Sequence, residues 1–525
     1  MLDGLCIKLK MQGRNPSSRF SRALAFGVAL LLCAASAHAG GTPIPHGTLE
    51  LIAENQWIAA GHKFDLGLHF QLEKGWHIYW VNPGDSGEPP RANWQLPAGL
   101  AAGAIEWPAP RRLVSSSIVD FGYEDAVLLI VPISGETSMA AQQPARLGAE
   151  VKLLVCSHEM CIPGKAQLSL TLPIKSQPPA PDARTAALFT AACKSLPRPA
   201  PKNWRVSVAD ANDSFVLTAS LGREIRQAIF FPLAESQIEN AAPQKLQPVA
   251  AGFRLTLRKS DQLLKPIQRL QGVLVLSTDQ AYLVDAPLSK SGAVRSSYRL
   301  ESTSTILKGG ITTMKRSTLY PILLYPMLVA LLLCTAPPLM SAAKVGDAAP
   351  EFTGAASNGK TFHLSDYRGK YVVLEWHNNG CPFVGKHYNS GNMQRLQKQW
   401  TGRGVVWFTI LSSAPGKQGY VTAREESDYL AKMQAAPTAA LLDPTGEIGH
   451  LYDAKTSPQM VVINPNGVVI YDGAIDDKPT TDLNDVPGAT NYVSRALEQA
   501  MAGKQVETPA TRPYGCSVKY GDSTH

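Results

Sequence analysis

The sequence predicts a multidomain protein in which two all-β sandwich domains precede an α/β domain. Its 525 residues are too many for one ordinary hydrophobic core, so several domains are expected. Short alternating strands broken by Gly and Pro fill residues 40–305, which favours β-sandwiches, whereas strands alternate with helical segments after residue 344. The formal charge of +8 comes without a compact basic cluster, which argues against nucleic acid as a partner.

The first 39 residues have the pattern of a secretory signal peptide. Three arginines precede the apolar run ALAFGVALLLCAASAHAG, and the small residues Ala37 and Ala39 frame a cleavage site after Ala39. Cleavage there would release the mature chain into an oxidising compartment, where paired cysteines persist. We therefore expect an exported protein whose cysteines carry chemistry.

Two β-rich regions follow, which we predict as separate domains at residues 40–178 and 185–305. The first contains the strand-like runs KFDLGLHFQL, AVLLIVPI, EVKLLVC and AQLSLTLPI, and the second contains WRVSVAD, SFVLTASL, GFRLTL and GVLVLS. The Pro-rich stretch SQPPAPDAR near residues 176–184 is predicted to link them. Cys193, in the helical-looking segment TAALFTAACKSL, has no partner nearby in sequence and is predicted to be a buried small side chain.

The segment VKLLVCSHEMCIPGK places Cys156 and Cys161 at the tip between two strands. The four residues between them allow a local disulfide, which could be a static staple or a redox-active pair that exchanges with a partner thiol. Together with His158 and Met160 the two cysteines also form a ligand set suited to Cu(I), although one small loop can hardly aim four side chains at one ion. All three interpretations stay open, and no other cofactor is expected.

Several motifs of this region resemble the N-terminal periplasmic region of the thiol:disulfide interchange protein DsbD family. They are GWHIYWVNPGDSGEPP, IEWPAPRRL, DFGYEDAVLLIVPI and VCSHEMCIPG, and the resemblance covers most of residues 45–300. It implies an immunoglobulin-like fold and a Cys156–Cys161 pair that passes reducing equivalents to periplasmic thiol/disulfide proteins. The family continues into a polytopic membrane domain, whereas a single apolar segment follows in this sequence, so we expect a separate membrane electron donor.

A second apolar segment, residues 314–343, separates the β-rich regions from the rest of the chain. Lys315 and Arg316 precede the apolar run 319–340, and Ser341 and Ala343 form another small-residue cleavage site. The run is also long enough to span a bilayer. It therefore predicts either two exported proteins joined here and cleaved near Ala343, or a periplasmic protein anchored to the inner membrane by a single segment.

Residues 344–505 alternate between strand and helix patterns. Strand YVVLEW leads into a helix from Pro382 to about Trp400, bent at Ser390-Gly391, and strand GVVWFTIL, helix AREESDYLAKMQ, strand AALLD and short helix EIGHLYD follow. Hairpin SPQMVVINPNGVVIYDG and helix NYVSRALEQAMAG complete the pattern before a tail at residues 506–525. This order, with the opening VGDAAPEF, resembles the thioredoxin fold of the peroxiredoxin/redoxin group of AhpC/TSA type.

By this resemblance Cys381 stands where the thioredoxin fold puts its reactive thiol. A cysteine at a helix N-terminus meets unpaired backbone N–H groups and a partial positive charge, which both favour the attacking thiolate. Pro382 suits the first helical turn because it lacks the N–H that would go unbonded there. Lys386 is the first candidate for added positive potential, and the flanking His377 and His387 could either contribute or lie solvated on the surface.

The partner thiol is not where the thioredoxin pattern expects it, because Val384 stands in its place. The peroxiredoxin pattern also differs, with Asn378 where it has Thr or Ser. Cys516, in the tail motif TRPYGCSVKY, is a candidate resolving thiol that folds back or reaches a second subunit, and the alternative is an unpaired tail cysteine. Ser457-Pro458 matches the cis-proline of the fold, expected to set the backbone beside the reactive thiol where a substrate strand docks.

The sequence thus predicts an exported thiol-disulfide oxidoreductase or peroxiredoxin-like redoxin. Cys381 would attack a disulfide or a peroxide, Cys516 would resolve the mixed disulfide or sulfenic acid, and Cys156 with Cys161 would form a second exchange centre. The alternative is a periplasmic copper-handling or redox-partner binding protein without turnover. The oligomeric state is left open.

Overall fold

The computed structural model describes residues 41–59, 61–115, 118–135, 144–277, 279–290 and 343–521. The predicted signal peptide and the apolar run 319–340 lie outside these residues. Within the described ranges no helix combines the length and apolar character needed to cross a bilayer.

The first β region forms two larger sheets around one core. Its strands are β1 Thr42–Ile44, β2 Gly47–Ala53, β3 Ile58–Ala59, β4 Phe64–Leu72, β5 His77–Gly84, β6 Arg91–Gln95, β7 Leu100–Ala102, β8 Arg111–Ser115, β9 Ile118–Glu124, β10 Ala126–Gly135, β11 Ala145–Cys156, β12 Cys161–Leu172 and β13 Ile174–Lys175. One sheet has the order β1-β2-β4-β10-β7 and the other β12-β11-β5-β9-β8, with β6 paired to β11 and β3 paired to β13. In β4 the residues Phe64, Leu66, Leu68 and Phe70 alternate along the strand and enter the core between the sheets.

The Pro-rich link lies along the first β region, and helix α1, Ala186–Ser195, follows it. The indole N–H of Trp57 lies 3.2 Å from the carbonyl oxygen of Pro178, and Phe189 and Ala192 of the helix pack in one apolar cluster with residues of the first sheet. Cys193 is exposed, so the prediction of a buried side chain was wrong. A short surface helix buries one face, and Phe189 and Ala192 already fill it.

The second β region is one continuous sheet of eight strands: β14 Arg198–Pro199, β15 Arg205–Asp210, β16 Ser214–Ser220, β17 Ile229–Pro232, β18 Lys245–Val249, β19 Gly252–Arg258, β20 Arg269–Ser277 and β21 Gln280–Lys290. Their order in the sheet is β17-β20-β21-β15-β16-β19-β18, and β14 also pairs with β21. The core contains Phe215, Leu217, Phe230 and Phe253, which the curled sheet encloses. The structure therefore does not confirm the predicted immunoglobulin-like sandwich.

The α/β region contains the strands β22 Thr353–Ala356, β23 Thr361–His363, β24 Val372–Trp376, β25 Val406–Leu411, β26 Ala439–Leu442, β27 Thr456–Ser457, β28 Met460–Ile463, β29 Val469–Gly473 and β30 Cys516–Ser517. Seven of them form a sheet of order β23-β22-β26-β25-β24-β28-β29. Strands β24, β25 and β26 run parallel, and β28 and β29 are antiparallel to their neighbours. Its helices are α2 Pro382–Asn389, α3 Asn392–Thr401, α4 Ala423–Met433, α5 Glu447–Leu451 and α6 Tyr492–Met501, with 3-10 turns at Leu364–Tyr367 and Leu483–Gly488.

The predicted α/β pattern is confirmed almost element by element. Every residue of β24 and β25 is buried, as expected for central strands covered by helices on both faces. The predicted bend separates α2 from α3 at Ser390-Gly391, where Gly391 takes the left-handed conformation with φ of 70°. The region is therefore a thioredoxin-like domain, and its reactive corner lies where β24 leads into α2.

Candidate active site

Cys381 is the N-cap residue of helix α2, directly before Pro382 at the first helical position. The residue is 1% exposed, and its sulfur lies 3.0 Å from the carbonyl oxygen of Ser457, to which the thiol form donates. The peptide bond between Ser457 and Pro458 is cis, so the predicted proline stands beside the cysteine in the predicted configuration. Strand, helix and cis-proline loop thus converge on one sulfur atom.

The pKa of the Cys381 thiol is lowered although burial acts to raise it. A hydrogen bond from the Cys516 side chain and backbone N–H groups of Val384, Cys516 and Phe383 stabilise the thiolate and outweigh the burial. Two of these N–H groups belong to the first turn of α2, where no intrahelical acceptor exists. Val384 stands where a dithiol motif has its second thiol. Its backbone N–H donates to the Cys381 sulfur, and its side chain is buried in the core.

Cys516 reaches Cys381 because the tail adds a short strand to the cis-proline loop. Strand β30 pairs antiparallel with β27 so that Cys516 lies opposite Ser457. The backbone at Gly515 approaches so closely that a Cβ there would lie 2.0 Å from the carbonyl oxygen of Ser457 and 3.1 Å from the nitrogen of Pro458. Only glycine fits this approach. The tail thus occupies the edge at which the sequence predicts a substrate strand to dock.

The two thiols, which we call the redoxin thiol pair, are hydrogen-bonded to each other. The pKa of Cys516 is raised well above its usual value because its side chain is hydrogen-bonded to Cys381 and because it is fully buried. The pair therefore favours ionisation at Cys381 and keeps the proton at Cys516, whose thiol donates to the Cys381 sulfur. This arrangement provides an attacking sulfur with a second thiol at hand to resolve the product.

Lys386 is buried and contacts the tail. Its ammonium donates to the Tyr514 hydroxyl at 3.1 Å and to the carbonyl of Lys478 at 2.6 Å, and it lies 3.7 Å from the Asp476 carboxylate. His387 contacts the same hydroxyl at 3.1 Å, and burial lowers its pKa well below the usual value, so the imidazole is neutral. These groups hold Tyr514 two residues before Cys516 and thereby fix the tail.

His377 belongs to a buried polar network under the site, so the solvated interpretation of the histidines is wrong for both of them. Burial lowers the pKa of His377, but Glu375 and Glu426 outweigh it and the net pKa is raised. Glu375 accepts hydrogen bonds from the Tyr388 hydroxyl at 2.9 Å and the Trp407 indole at 2.7 Å. This network was not predicted from the sequence. The one feature of the sequence that indicates it is Glu375, a single acidic residue inside the apolar strand YVVLEW.

The Cys156–Cys161 disulfide is present and closes the tip between β11 and β12. Both cysteines are buried, and the Tyr79 hydroxyl lies 3.8 Å from the sulfur of Cys161. We call β11, the tip at residues 157–160 and β12 the disulfide hairpin. His158 and Met160 are exposed at its tip, and the part of the chain that the structure describes contains no cluster of three or more His, Cys, Asp or Glu able to hold a metal.

The disulfide hairpin and the redoxin thiol pair share one apolar cluster. It includes Tyr79 and Leu154 of the first β region together with Phe383 of α2 and all four of these cysteines. The N–H of Gly87 donates to the carbonyl of Gly515 at 3.2 Å, so the first β region also holds the tail strand directly. The structure thus brings together Cys156, Cys161, Cys381, Cys516 and Pro458, the residues that the sequence singles out for disulfide chemistry.

Further polar contacts join the first β region to the thioredoxin-like domain around this cluster. The Thr481 hydroxyl donates to Glu88 at 2.9 Å, and Lys152 forms an ion pair with Asp482. Arg512 of the tail donates to the carbonyl of Gly84 and pairs with Glu235 of the second β region. The tail is therefore held from both sides as it passes the reactive sulfur.

Comparison with known proteins supports both halves of this arrangement. Residues 49–173 match the family described as "Thiol:disulfide interchange protein DsbD, N-terminal", and residues 345–472 match the AhpC/TSA family. No curated protein matches the chain. Both resemblances predicted from the sequence are therefore confirmed, and the chain combines a DsbD N-terminal-type region with a redoxin domain of the thiol-disulfide oxidoreductase kind.

Solved structures are similar to parts of the chain. The N-terminal periplasmic domain of ScsB from Proteus mirabilis is 18% identical, covers 46% of this chain and 92% of its own, with a TM-score of 0.35. The thioredoxin domain of a thiol-disulfide oxidoreductase from Bacteroides vulgatus is 16% identical over 28% of this chain and 98% of its own, with a TM-score of 0.21. A secreted Mycobacterium tuberculosis disulfide oxidoreductase homologous to E. coli DsbE is 19% identical over 22% of this chain and 79% of its own, with a TM-score of 0.19.

Proposed function

We propose that the protein is an exported thiol-disulfide oxidoreductase in which Cys381 is the nucleophile and Cys516 the resolving thiol. The observation that carries the proposal is the pairing of β30 with β27, which sets Cys516 against the Cys381 thiolate beside cis-Pro458. The lowered pKa of Cys381 favours the attacking thiolate form. The raised pKa of Cys516 keeps a proton on the second thiol until the first has reacted.

The reaction proceeds in two displacements. The Cys381 thiolate attacks one sulfur of a disulfide, a mixed disulfide forms, and the other substrate sulfur leaves as a thiolate. Cys516 then loses its proton and attacks Cys381, which releases the second substrate sulfur and leaves a Cys381–Cys516 disulfide. The substrate gains two electrons from the enzyme and two protons, one released by Cys516 and one from solvent, and a dithiol partner must reduce the enzyme again. Pro458 acts by holding the Ser457 carbonyl at the sulfur and at the tail strand.

The disulfide hairpin is the second exchange centre of this proposal. Its disulfide lies in the same apolar cluster as the redoxin thiol pair, and Tyr79 contacts Cys161 while its phenol also interacts electrostatically with Cys516. We infer that electrons pass between the two pairs within the chain and then to or from periplasmic thiol/disulfide proteins, with a separate membrane protein as the ultimate donor. The DsbD N-terminal match supports partners of that kind.

Export to the periplasm is part of the proposal. The signal-peptide pattern of the first 39 residues and the DsbD N-terminal match over residues 49–173 support it. Anchoring through residues 319–340, cleavage near Ala343 and the immunoglobulin-like character of the β regions stay predictions that direct analysis of the exported protein would test.

Hydrogen peroxide is a second substrate class, favoured by the AhpC/TSA match over residues 345–472. The site differs from the peroxiredoxin pattern at Asn378, whose side-chain oxygen accepts from the N–H of Gly380 at 2.9 Å. A peroxide would convert the Cys381 thiolate to a sulfenic acid, which Cys516 would then condense to the same disulfide with loss of water. Both substrate classes therefore lead to one oxidised enzyme.

A turnover assay distinguishes these functions. The purified mature protein, with dithiothreitol as reductant, is given insulin or hydrogen peroxide, and Cys381→Ser is compared with the matched control Cys193→Ser. Turnover on insulin that survives in the control and disappears in Cys381→Ser supports the oxidoreductase, and turnover on peroxide alone supports the peroxidase. Tight Cu(I) binding by the reduced protein with no turnover on either substrate would instead support the copper-handling alternative through Cys156, His158, Met160 and Cys161.

A further inference from the structure

Lys519 lies where the tail meets the disulfide hairpin. It stands three residues after Cys516 and is 7% exposed, which is rare for a lysine side chain. Its ammonium donates to the backbone carbonyl of His158 in the hairpin tip at 3.2 Å and to the hydroxyl of Ser517 at 2.8 Å. Its own carbonyl accepts from the N–H of Ala414 at 2.8 Å. The side chain therefore ties the hairpin to the tail, and the backbone ties the tail to the thioredoxin-like domain.

The surroundings of Lys519 are mostly acidic groups and thiols. The pKa of Lys519 is lowered by burial, although both members of the redoxin thiol pair, Asp120 of β9 and Glu159 of the hairpin tip act to raise it. In return the ammonium acts to lower the pKa of Cys516 and of Asp120. His77 of β5 is the basic group that faces it. Lys519 thus places a cation that interacts with the redoxin thiol pair and contacts the tip of the disulfide hairpin.

The sequence instead ranks Lys386 as the cation that assists Cys381. The ammonium of Lys386 is bonded to the Tyr514 hydroxyl and to a backbone carbonyl, and it faces the Asp476 carboxylate. Lys386 therefore anchors the tail through these contacts. Nothing in the sequence motif around Cys381 indicates Lys519, because it lies beyond the last helix.

We propose that Lys519 is a positioning residue for exchange between the disulfide hairpin and the redoxin thiol pair, an inference that rests on the function proposed above. Its hydrogen bond to the carbonyl of His158 holds the hairpin tip against the tail. Its charge stabilises the thiolates that form as the sulfurs exchange. The two effects act together because the same ammonium makes the hydrogen bond and faces the sulfurs.

The exchange that Lys519 supports consists of two displacements between the two sulfur pairs of one chain. The thiolate of the redoxin thiol pair attacks one sulfur of the Cys156–Cys161 disulfide, and the other sulfur leaves as a thiolate. The second redoxin thiol then loses its proton and attacks the first, which releases the remaining hairpin sulfur. One disulfide breaks and one forms, two electrons and the one proton of the redoxin thiol pair pass to the hairpin pair, which is left as a thiolate and a thiol, and no outside oxidant or reductant is needed.

The test follows redistribution of a single disulfide in the full mature chain. Fully reduced protein receives one equivalent of diamide, samples are quenched in acid and alkylated over time, and the disulfide is mapped by peptide mass spectrometry across a range of pH. Lys519→Met is compared with Lys519→Arg, which keeps the charge and the donors, and with Lys504→Met, which removes an exposed lysine outside the site. Thermal unfolding of each variant shows whether it is folded.

Loss of a buried hydrogen bond from a charged group predicts exchange about tenfold or more slower in Lys519→Met. Its pH–rate profile should shift to higher pH, because the thiolates lose a neighbouring cation, and Lys519→Arg should restore most of the rate and the profile. A folded Lys519→Met that exchanges at the wild-type rate with an unshifted profile overturns the inference. If the wild-type protein itself shows no exchange between the pairs, the proposed function of the hairpin fails instead.

Discussion

The sharpest prediction concerns Gly515, because the tail can reach Cys381 only if the backbone passes very close to the cis-proline loop. In Gly515→Ala the new Cβ would lie 2.0 Å from the carbonyl oxygen of Ser457. An ordinary C···O contact is about 3.3 Å, so the tail must retreat by more than about 1 Å. Both clashing partners are backbone, and at φ of 150° the residue is strained for any side chain, so no rotamer relieves the contact.

The expected cost of Gly515→Ala is that of overpacking a tight contact, about 1–3 kcal/mol. If this free-energy cost weakens docking of the tail, the population with Cys516 against Cys381 drops roughly 5- to 150-fold. Formation of the Cys381–Cys516 disulfide should slow by the same factor. Alkylation of Cys381 by iodoacetamide should become faster, because the strand that covers the sulfur is displaced.

The assay oxidises the reduced protein with diamide, quenches in acid and measures the Cys381–Cys516 peptide over time. Gly521→Ala is the matched control, since it lies in the same tail and its new Cβ would meet the nearest atom at an ordinary 3.6 Å. If Gly515→Ala forms the disulfide as fast as Gly521→Ala and its Cys381 is no easier to alkylate, the tail does not dock as described and the reasoning fails.

Three further predictions follow from the same contacts. Cys516→Ser should trap Cys381 in a mixed disulfide with substrate, detected by mass, whereas Cys381→Ser should trap none; equal trapping in both would contradict the assigned roles. Tyr514→Phe removes a hydroxyl bonded to Lys386 and should weaken tail docking by about 1–3 kcal/mol, seen as faster Cys381 alkylation, and unchanged alkylation would argue against the anchor. Burial is the main cause that raises the pKa of Asp120 to about 7, so the folded protein keeps a proton there that the unfolded chain releases above about pH 4. The free energy of unfolding should therefore fall as the pH rises from about 4 to 7. Asp120→Asn should flatten that fall when denaturation is measured as a function of pH.

The α/β elements could be predicted from the sequence because their signals are local. The apolar strands, the Pro at the start of α2 and the glycine at the bend each act over a few residues, and the structure places them within about two residues of expectation. The cis-proline at 458 was predicted by resemblance to the fold. Cys381 was found because one strand, one cysteine and one proline stand together in the chain.

The features that could not be predicted depend on contacts between distant parts of the chain, which local sequence patterns do not encode. The burial of Lys386 and His387 follows from Asp476 and Tyr514, which approach them only in the folded chain. The tail has no periodic pattern, so neither its strand pairing nor the place of Lys519 could be predicted. The second β region shows the same limit, because alternating residues predict strands but not which strands share a sheet.

Disulfide mapping of the wild-type protein, isolated under oxidising conditions and blocked with N-ethylmaleimide before digestion, tests the central claim most directly. A peptide containing Cys381 should be linked to one containing Cys516 in a species of monomer mass, and a second linked pair should join Cys156 to Cys161. A Cys516 that is blocked by the reagent while Cys381 is oxidised or linked elsewhere would contradict the account.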